Sequence, residues 1–489
     1  MNIAELIAII SSWIWGWPFI GFCLATGLYF SLRTRFLQMR YLKSMLTLLF
    51  QRKSSGSGIS PFQAFMLALS GRVGTGNIAG VATAIALGGP GAVFWMWIIA
   101  FFGAGTAYIE ASLGQIYKER IDGNYRGGPA YYISKGLGIK WYAAVFAVIA
   151  IISLGIFMPG VQANAICSAF DTAFAMDKRL TAGIIIFLLS LIIFGGVKRI
   201  AKVAEIVTPF MAVGYILVAL VILVLNYHRI PAMFMLIIKS ALGIHPALSG
   251  VIGAAISMGV KRGIFSNEAG QGTAPHAAAA AEVSHPVEQG LVQAFSVYID
   301  TLLICSATAF IILITGMYRV YDSAVAVNVV VDGTGLPNGI NEYGPIYTQL
   351  AIDAYIPGFG SAFVALALFF FAFTTIISYY FQAETNVYFL FRKNKTNFYA
   401  VNTLRLGMLC VTFFTAINTM TLAWDMADIG VGMMAWFNLI AILFLRKVAF
   451  KVLNDYENQL KTGVEKPSFL PEKLNIKNAE EWNKIKVNF

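Results

Sequence analysis

Small and polar residues interrupt an apolar segment at Ser70-Gly-Arg-Val-Gly-Thr-Gly-Asn77, which holds three glycines. A continuous helix is costly here, because each glycine destabilises a helix by roughly 1 kcal/mol relative to alanine. A broken helix frees carbonyl groups before the break, which can hold a small cation, and N–H groups after it, which can hold a carboxylate. The stretch therefore predicts a broken helix that offers sites for both a zwitterion and a metal ion. Close helix packing at small residues is the structural alternative.

Charged side chains also lie inside or beside apolar segments, where each costs at least ~2.5–3.5 kcal/mol at the centre of a bilayer. We expect them to be paired or to face water. We favour buried ion pairs, with Arg72 or Arg262 meeting an acid, that lock helices together or gate the inner side, over direct contact with a substrate. A proton relay through Glu110 or Asp300 is a further alternative. The charged residues are Arg72, Glu110, Lys261, Arg262, Glu268, Asp300, Glu384, Asp425 and Asp428.

Two further polar sites fall within apolar segments. Thr374 and Thr375 lie in the middle of one segment, and their hydroxyls either bond back to their own helix or ligate sodium, a hard cation that prefers oxygen. Pro159-Gly160-Val-Gln162 lies within another segment. Its proline frees a carbonyl, its glycine permits close approach and Gln162 offers a polar end, whereas a simple kink is the alternative.

An internal repeat connects these sites. Asn77-Ile-Ala-Gly-Val-Ala-Thr-Ala84 matches Asn267-Glu-Ala-Gly-Gln-Gly-Thr-Ala274 at five of eight positions, at an offset of 190 residues. The same offset carries Glu110 onto Asp300. If the two halves run in opposite directions through a membrane, they form inverted repeats, which are typical of secondary transporters.

The elements that position these residues are predicted to be membrane-spanning helices. Apolar residues make up 58% of the chain and charged residues only 12%, whereas a soluble protein carries roughly a quarter charged residues. The apolar blocks approach the ~20 residues that a helix needs to cross a bilayer. We predict eleven spans, at 12–32, 61–88, 92–117, 140–175, 180–197, 206–226, 248–281, 289–317, 361–391, 399–420 and 424–445. Short apolar segments near 36–50, 230–243 and 345–356 are predicted to be interfacial helices.

Basic residues follow alternate spans, which predicts an outside N-terminus and a cytoplasmic C-terminus in the inner (plasma) membrane. These basic residues include Arg33, Arg35, Arg52, Lys53, Lys118, Arg120, Lys198, Arg199, Arg392, Lys393, Arg446 and Lys447. We divide the chain into an extra N-terminal helix with an interfacial helix (1–60), a first repeat (61–226), a second repeat (227–446) and a polar cytoplasmic tail (447–489). Ten of the eleven spans then form a core of five plus five.

The same residues argue against other functional classes. The net charge of +11 is read as membrane topology and not as nucleic-acid binding, because the basic residues cluster beside spans. The four cysteines lie within apolar spans with no spacing typical of disulfides or metal sites. No phosphate-binding loop, metalloprotease motif or nucleophile elbow is found in the sequence, so we expect neither ATP hydrolysis nor another enzyme activity, and no cofactor. No obligate protein partner is evident.

In its motifs the chain resembles the alanine-or-glycine:cation symporters, the sodium:alanine carriers of bacteria and archaea, from about residue 12 to residue 446. The resemblance implies the broken-helix fold of the bacterial leucine transporter with eleven spans. The chain departs from these carriers at Ser378-Tyr379, where they often have Gly-Trp. The motifs are Gly71-Arg-Val-Gly-Thr-Gly-Asn-Ile-Ala-Gly-Val-Ala82, Gly88-Gly-Pro-Gly-Ala-Val-Phe-Trp95, Arg126-Gly-Gly-Pro-Ala130, Gly160-Val-Gln-Ala-Asn164, Phe265-Ser-Asn-Glu-Ala-Gly270, Phe371-Ala-Phe-Thr-Thr375 and Ala427-Asp428.

The resemblance also implies roles for individual residues. Thr75 and Gly76 would hold the substrate carboxylate, Gly160 and Gln162 would lie near the amine, and Thr375 and Tyr379 would line the side-chain pocket. One sodium site would be formed by the carbonyls of Ser70 and Val73 with Thr374 and Thr375, and Asn77 would face a second. The implied function is sodium-coupled import of small neutral amino acids, alanine and glycine, by alternating access. A proton-coupled symporter of the same fold and an ion channel are the alternatives.

Overall fold

The computed structural model describes residues 3–50, 58–322, 328–333, 335–337, 340, 342–391 and 394–484. Arg52, Lys53, Arg392 and Lys393, on which the topology prediction partly rests, lie outside the described residues. The described chain is mostly helical, which confirms the predicted fold class.

The α-helices are Ile3–Ile14, Trp17–Arg33, Leu37–Arg40, Leu42–Leu49, Pro61–Arg72, Val81–Gly88, Gly91–Ile116, Pro129–Tyr132, Lys140–Ile152, Met158–Phe174, Lys178–Ile193, Gly196–Leu225, Ile230–Ala241, Ile252–Asn267, Ala274–Ala280, Pro286–Val297, Ser306–Thr315, Pro345–Asp353, Gly360–Leu390, Asn394–Ala416, Met420–Lys461 and Glu481–Lys484. Wider π-helical turns cover Gly76–Gly80, Ile133–Leu137, Ser153–Phe157 and Tyr298–Cys305, and 3₁₀ turns cover Tyr227–Arg229 and Pro246–Val251. Two antiparallel hairpins pair Glu119–Ile121 with Asn124–Arg126 and Arg319–Tyr321 with Val329–Asp332.

Eight helices within the described residues are long and apolar enough to cross a membrane. They are Glu5–Arg33, Gly91–Ile116, Lys140–Phe174, Lys198–Leu225, Pro286–Thr315, Gly360–Leu390, Asn397–Ala416 and Met420–Lys461. The other three predicted spans coincide with Lys178–Ile193, which is shorter, and with two interrupted segments. The total of eleven therefore stays a prediction.

The first interrupted segment begins at a capping box and breaks where the glycines cluster. Ser60 accepts a hydrogen bond from the Gln63 backbone and Pro61 occupies the first turn, so the helix start is fixed locally. Helix Pro61–Arg72 ends before Val73 and Gly74, and the chain resumes at Gly76–Gly80 and Val81–Gly88. We call Pro61–Gly88 the first broken helix.

The second interrupted segment breaks at the corresponding position of the repeat. Helix Ile252–Asn267 ends at Glu268, which takes a left-handed backbone conformation with φ of 56°. Gly270 and Gly272 follow with φ of 88° and 82°, values that favour glycine because it has no Cβ. The chain resumes as helix Ala274–Ala280. We call Ile252–Ala280 the second broken helix.

The C-terminal segment folds back on one end of the helix bundle. Helix Met420–Lys461 continues well past the predicted span end at 445, so the predicted boundary at 447 falls within it. Beyond this helix, the Phe469 backbone N–H donates to the Ser284 carbonyl at 3.1 Å, and Trp482 Nε1 donates to the Gln115 carbonyl at 2.9 Å. We call this end of the molecule the tail end.

Candidate functional site

The break in the first broken helix is closed by side-chain amides. The backbone N–H of Gly74 donates to Asn77 Oδ1 at 2.8 Å, and that of Thr75 donates to Gln162 Oε1 at 2.9 Å. The hydroxyl of Thr75 is buried and has no hydrogen-bond partner among the described residues. The N–H group predicted to meet a carboxylate is thus present, and an amide oxygen from the helix Met158–Phe174 occupies it.

Carbonyl groups and the Thr375 hydroxyl meet at the same break. Thr375 Oγ1 lies 2.8 Å from the Ser70 carbonyl, 3.3 Å from the Val73 carbonyl and 3.0 Å from the Phe371 carbonyl of its own helix. Thr374 Oγ1 bonds back to the Phe370 and Phe371 carbonyls of its own helix, at 2.9 and 3.0 Å. The structure therefore brings together Ser70, Val73 and Thr375 of the four predicted sodium ligands at this site. The Phe371 carbonyl is a further oxygen beside Thr375 that sequence reasoning missed.

A buried carboxylate lies on the other side of the break. Asp300 Oδ1 accepts a hydrogen bond from Asn77 Nδ2 at 2.6 Å, and Asp300 Oδ2 accepts from Ser266 Oγ at 2.9 Å and from Thr301 Oγ1 at 2.8 Å. Within the described part of the chain, no basic side chain forms a salt bridge with Asp300. Its neighbours Ser266 and Thr301 were not predicted as site residues.

Glu110 holds the second broken helix. Its carboxylate accepts hydrogen bonds from the backbone N–H groups of Gly270 at 3.2 Å and Gly272 at 3.1 Å, and from Asn438 Nδ2 at 2.7 Å. Three donors saturate most of its acceptor capacity and aim it at the break. Glu110 therefore fixes backbone conformation, and no basic side chain of the described residues forms a salt bridge with it.

Glu268 and Arg72 lie between the two breaks. Glu268 Oε2 accepts from Thr273 Oγ1 at 2.9 Å, its Oε1 has no hydrogen-bond partner among the described residues, and the carboxylate interacts with Tyr379. Arg72 Nη1 donates to the Gln293 carbonyl at 3.1 Å, whereas Nε and Nη2 find no partner in the described residues. Arg72 forms no salt bridge there within 4.0 Å, so the expected contact with an acid is not present for this arginine.

The expected ion pair of Arg262 is present. Its guanidinium forms a bidentate salt bridge with Asp428, from Nη1 to Oδ1 at 3.1 Å and from Nη2 to Oδ2 at 2.8 Å. Lys261 Nζ lies 2.7 Å from Oδ2 of the same carboxylate. The Trp424 ring covers the guanidinium at 4.1 Å. Asp428 lies near the start of helix Met420–Lys461, whose far end meets the tail. This pair therefore lies at the end opposite the tail end.

A second ion-pair cluster lies at the tail end. Glu384 contacts Arg126 at 3.2 Å and Arg405 at 3.4 Å, and it accepts a hydrogen bond from Tyr380 at 2.6 Å. Of these residues only Glu384 was singled out from sequence. The Gly-rich motif that begins at Arg126 was a signal that this arginine belongs to a packed turn.

The predicted substrate residues are enclosed between these two clusters. Thr75, Gln162, Thr375 and Tyr379 are all buried, so solvent does not reach their side chains in this structure. Gly160 faces a different neighbour: a Cβ at this position would meet Thr415 Oγ1, so the glycine permits close packing of two helices. Buried hydroxyl, carbonyl and amide groups therefore surround the helix break, with few charged groups among them.

Comparison with known proteins decides the family. Residues 1–471 match the model of the sodium:alanine symporter family. The chain belongs to this family. Its members are secondary active amino-acid transporters, and this chain is a multi-pass membrane transporter of that class.

Relatives and solved structures agree with this assignment. The chain is 55% identical over 483 residues to YrbD of Bacillus subtilis (strain 168), named a putative sodium/proton-dependent alanine carrier protein, covering 98% of both chains. It is 44% identical over 480 residues to GlnT of the same organism, named a probable sodium/glutamine symporter, covering 98% of this chain and 95% of GlnT. The crystal structure of MhsT in complex with L-phenylalanine matches with a TM-score of 0.55 and 15% identity, covering 81% of this chain and 98% of MhsT. The symporter thus has the fold of the leucine transporter.

Proposed function

We propose that this symporter imports small neutral amino acids such as alanine and glycine together with sodium, by alternating access in the plasma membrane, with its N-terminus outside. The observation that carries the proposal is the convergence of the Ser70, Val73 and Phe371 carbonyls on the Thr375 hydroxyl at the first helix break. The family and the burial of these groups support it.

The proposed sodium site has more hydrogen-bond acceptors than protons to donate to them. The Thr375 hydroxyl carries one proton, so it satisfies one of the three carbonyls that face it at any moment. A small cation among these oxygens would be attracted to all of them and to Thr374, and sodium prefers such oxygen ligands. Sodium would therefore draw Pro61–Arg72 and Gly360–Leu390 together at the break.

The amino-acid site follows from the groups after the break. The N–H of Thr75 and the unpartnered Thr75 hydroxyl are donors for a carboxylate, and they lie close to the start of the half-helix, whose dipole favours a negative group. Gln162 Oε1 holds this position in the closed structure. A substrate carboxylate would replace the Gln162 oxygen, which then becomes free to accept from the substrate ammonium.

Coupling between the two ligands rests on the shared backbone. Sodium held by the Ser70 and Val73 carbonyls fixes the conformation that presents the Thr75 N–H, so each ligand raises the affinity for the other. The Arg262–Asp428 pair and the Arg126–Glu384–Arg405 cluster close opposite ends. Opening one while the other stays closed would expose the site to one side at a time.

Proton coupling is a second candidate, favoured by Asp300. Its carboxylate is buried among neutral donors, and no basic side chain of the described residues pairs with it. Either a second cation held with Asn77 or a proton would neutralise it. The relative YrbD is described as a putative sodium/proton-dependent alanine carrier.

Uptake by the purified protein in proteoliposomes tests both candidates. We expect inward-directed sodium to drive labelled alanine uptake, and replacement of sodium by choline to abolish it at both pH 6 and pH 8. Uptake in choline that follows an inward proton gradient would instead establish the proton-coupled form. Calorimetry with a panel of small amino acids tests the carboxylate site: Thr75→Val should abolish binding, whereas unchanged affinity would refute the assignment.

A further inference from the structure

A pocket of about 420 Å³ lies at the tail end, between the C-terminal segment and the end of helix Met420–Lys461. The described residues that line it include the four lysines Lys135, Lys447, Lys451 and Lys477 and no acidic residue. We call it the lysine pocket.

The four lysines reach the pocket from three separate parts of the chain. Lys447 and Lys451 are one helical turn apart on helix Met420–Lys461, so their side chains share a face. Lys135 comes from the π-helical turn Ile133–Leu137, and Lys477 comes from the tail. The fold therefore brings together cations that have no local reason to be neighbours.

Only one of these charges is compensated. Lys135 Nζ lies 3.2 Å from Glu119 and 3.4 Å from Glu480. Lys447, Lys451 and Lys477 form no salt bridge within 4.0 Å to any residue that the structure describes. Three positive charges around one cavity repel one another and attract an anion, and the walls of the cavity focus that field.

The pocket opens beside the apolar belt of the molecule. Phe444, one turn before Lys447, is 68% exposed, and Trp141, just after the Gly136–Gly138 turn, is 69% exposed. Exposed aromatic rings next to lysines are typical of the level of lipid headgroups. A phosphate group at this depth is therefore within reach of all three free lysines.

We propose that the lysine pocket binds a phosphate-bearing anion, supplied either by an anionic phospholipid headgroup or by a soluble phosphate compound. The anion bridges Lys447 and Lys451 on the helix with Lys477 on the tail. Binding thus holds the tail against the bundle. The neighbouring hydrogen bond from Asn478 Nδ2 to the Lys135 carbonyl, at 2.9 Å, closes the same contact from the other side.

The test compares the full-length protein in nanodiscs with two triple variants. The pocket variant is Lys447→Gln, Lys451→Gln and Lys477→Gln. The matched control is Lys43→Gln, Lys461→Gln and Lys473→Gln, which removes the same charge at three exposed lysines outside the pocket. A third variant with arginine at the three pocket positions retains the charge and should retain binding. All replaced side chains are exposed, so folding should be preserved, as the elution profile and circular dichroism will show.

Thermal unfolding and native mass spectrometry supply the readouts. One arm compares phosphatidylcholine discs with discs that contain phosphatidylglycerol, and the other adds inorganic phosphate to phosphatidylcholine discs. We expect the wild-type protein and the control variant to be stabilised in at least one arm. In that arm the pocket variant should lose affinity for the added lipid or phosphate at least about tenfold. Stabilisation by phosphatidylglycerol alone assigns a lipid headgroup, and stabilisation by phosphate assigns a soluble anion. No response in either arm, or an equal loss in the control variant, overturns the proposal.

Discussion

The side-chain amide nitrogen of Asn77 lies 2.6 Å from Asp300 Oδ1, and the two residues belong to opposite halves of the internal repeat. The mirrored contact is made by Glu110, which lies 190 residues before Asp300 and accepts from the N–H groups of Gly270 and Gly272. Each broken helix is therefore held by an acid from the other half. The two acids differ in the groups that donate hydrogen bonds to them. Glu110 accepts from two backbone N–H groups and a side-chain amide, whereas Asp300 accepts from a side-chain amide and two hydroxyls.

This difference predicts opposite effects for the two neutral substitutions. Glu110→Gln places an NH₂ group against at least one of three N–H donors, so we expect a loss of stability of about 1–3 kcal/mol. Asp300→Asn meets hydroxyls that can rotate to donate or accept, so stability should change little while cation-driven uptake is lost. Thermal unfolding and uptake of labelled alanine by both variants check this. Wild-type cation dependence in Asp300→Asn would remove Asp300 from the coupling mechanism.

Local sequence chemistry predicted the helix breaks because their cause is local. The glycines around Val73, and those after Glu268, penalise a helix whatever surrounds them. The contact of Thr375 with the Ser70 carbonyl depends on packing between residues 305 positions apart, so only the resemblance could suggest it. The fold class was likewise predictable from span lengths, whereas the π-helical turns at Gly76–Gly80 and Tyr298–Cys305 have no evident sequence signal.

The tail shows where composition was a poor guide. The polar sequence after residue 450 predicts a solvated segment, yet Phe469 and Trp482 are buried against the bundle. The aromatic residues Phe469 and Trp482 themselves were the available signal. Their partners, the Ser284 and Gln115 carbonyls, are backbone groups, which every residue has, so the sequence does not indicate these contacts. Gln162 accepts a hydrogen bond from the Thr75 N–H in this structure, and its position near the substrate amine stays a prediction.

Loss of the Thr375 hydroxyl should weaken sodium coupling. Thr375→Val keeps the shape but removes the oxygen on which three carbonyls converge, so the half-saturating sodium concentration for alanine uptake should rise at least about tenfold. Thr83→Val is the matched control, because the Thr83 hydroxyl is buried and, among the residues that the structure describes, bonds only to the Ala79 carbonyl of its own turn. Titration of uptake with sodium provides the measurement. An equal shift in both variants would show a general helix effect and not a ligand.

A carboxylate at position 162 should mimic the substrate. Gln162→Glu leaves an oxygen opposite the Thr75 N–H, so the hydrogen bond at 2.9 Å is retained and strengthened by charge. We expect thermal stability to be maintained while alanine affinity falls at least about tenfold, because the substrate carboxylate meets a like charge. Calorimetry and unfolding of the same preparation separate the two effects. Alanine binding at wild-type affinity would show that Gln162 does not occupy the carboxylate position.

Docking of the tail should depend on pH through Lys118. Its ammonium group is buried between the rings of Tyr125, at 4.4 Å, and Trp482, at 4.5 Å, and donates to Gln115 Oε1 at 2.9 Å. Burial lowers the pKa of Lys118 from 10.5 to about 7, although the charges of Glu282 and Glu481 act in the opposite direction. Detachment of Trp482 would expose the ammonium group and restore a pKa near the ordinary value.

The sign of the effect follows from proton counting. Between about pH 7 and 10.5 the detached form binds more protons than the docked form, so raising the pH favours docking, by up to about tenfold per pH unit. Below pH 7 both forms carry the Lys118 proton, so the contribution of Lys118 vanishes. His285 packs against Phe469, but burial lowers its pKa from 6.5. Its titration therefore lies below the pH range in which Lys118 controls docking of the tail.

Spin-label distances provide the measurement. Labels at Lys473→Cys on the tail and Lys43→Cys on the bundle, with the native cysteines replaced, should report a docked fraction that rises from pH 7 to pH 9. Lys118→Met removes the titrating group but keeps an apolar stem between the two rings, so its docked fraction should not change with pH. A slope that persists in Lys118→Met would assign the pH dependence to another group, since Lys118 is the residue that burial by Trp482 directly penalises.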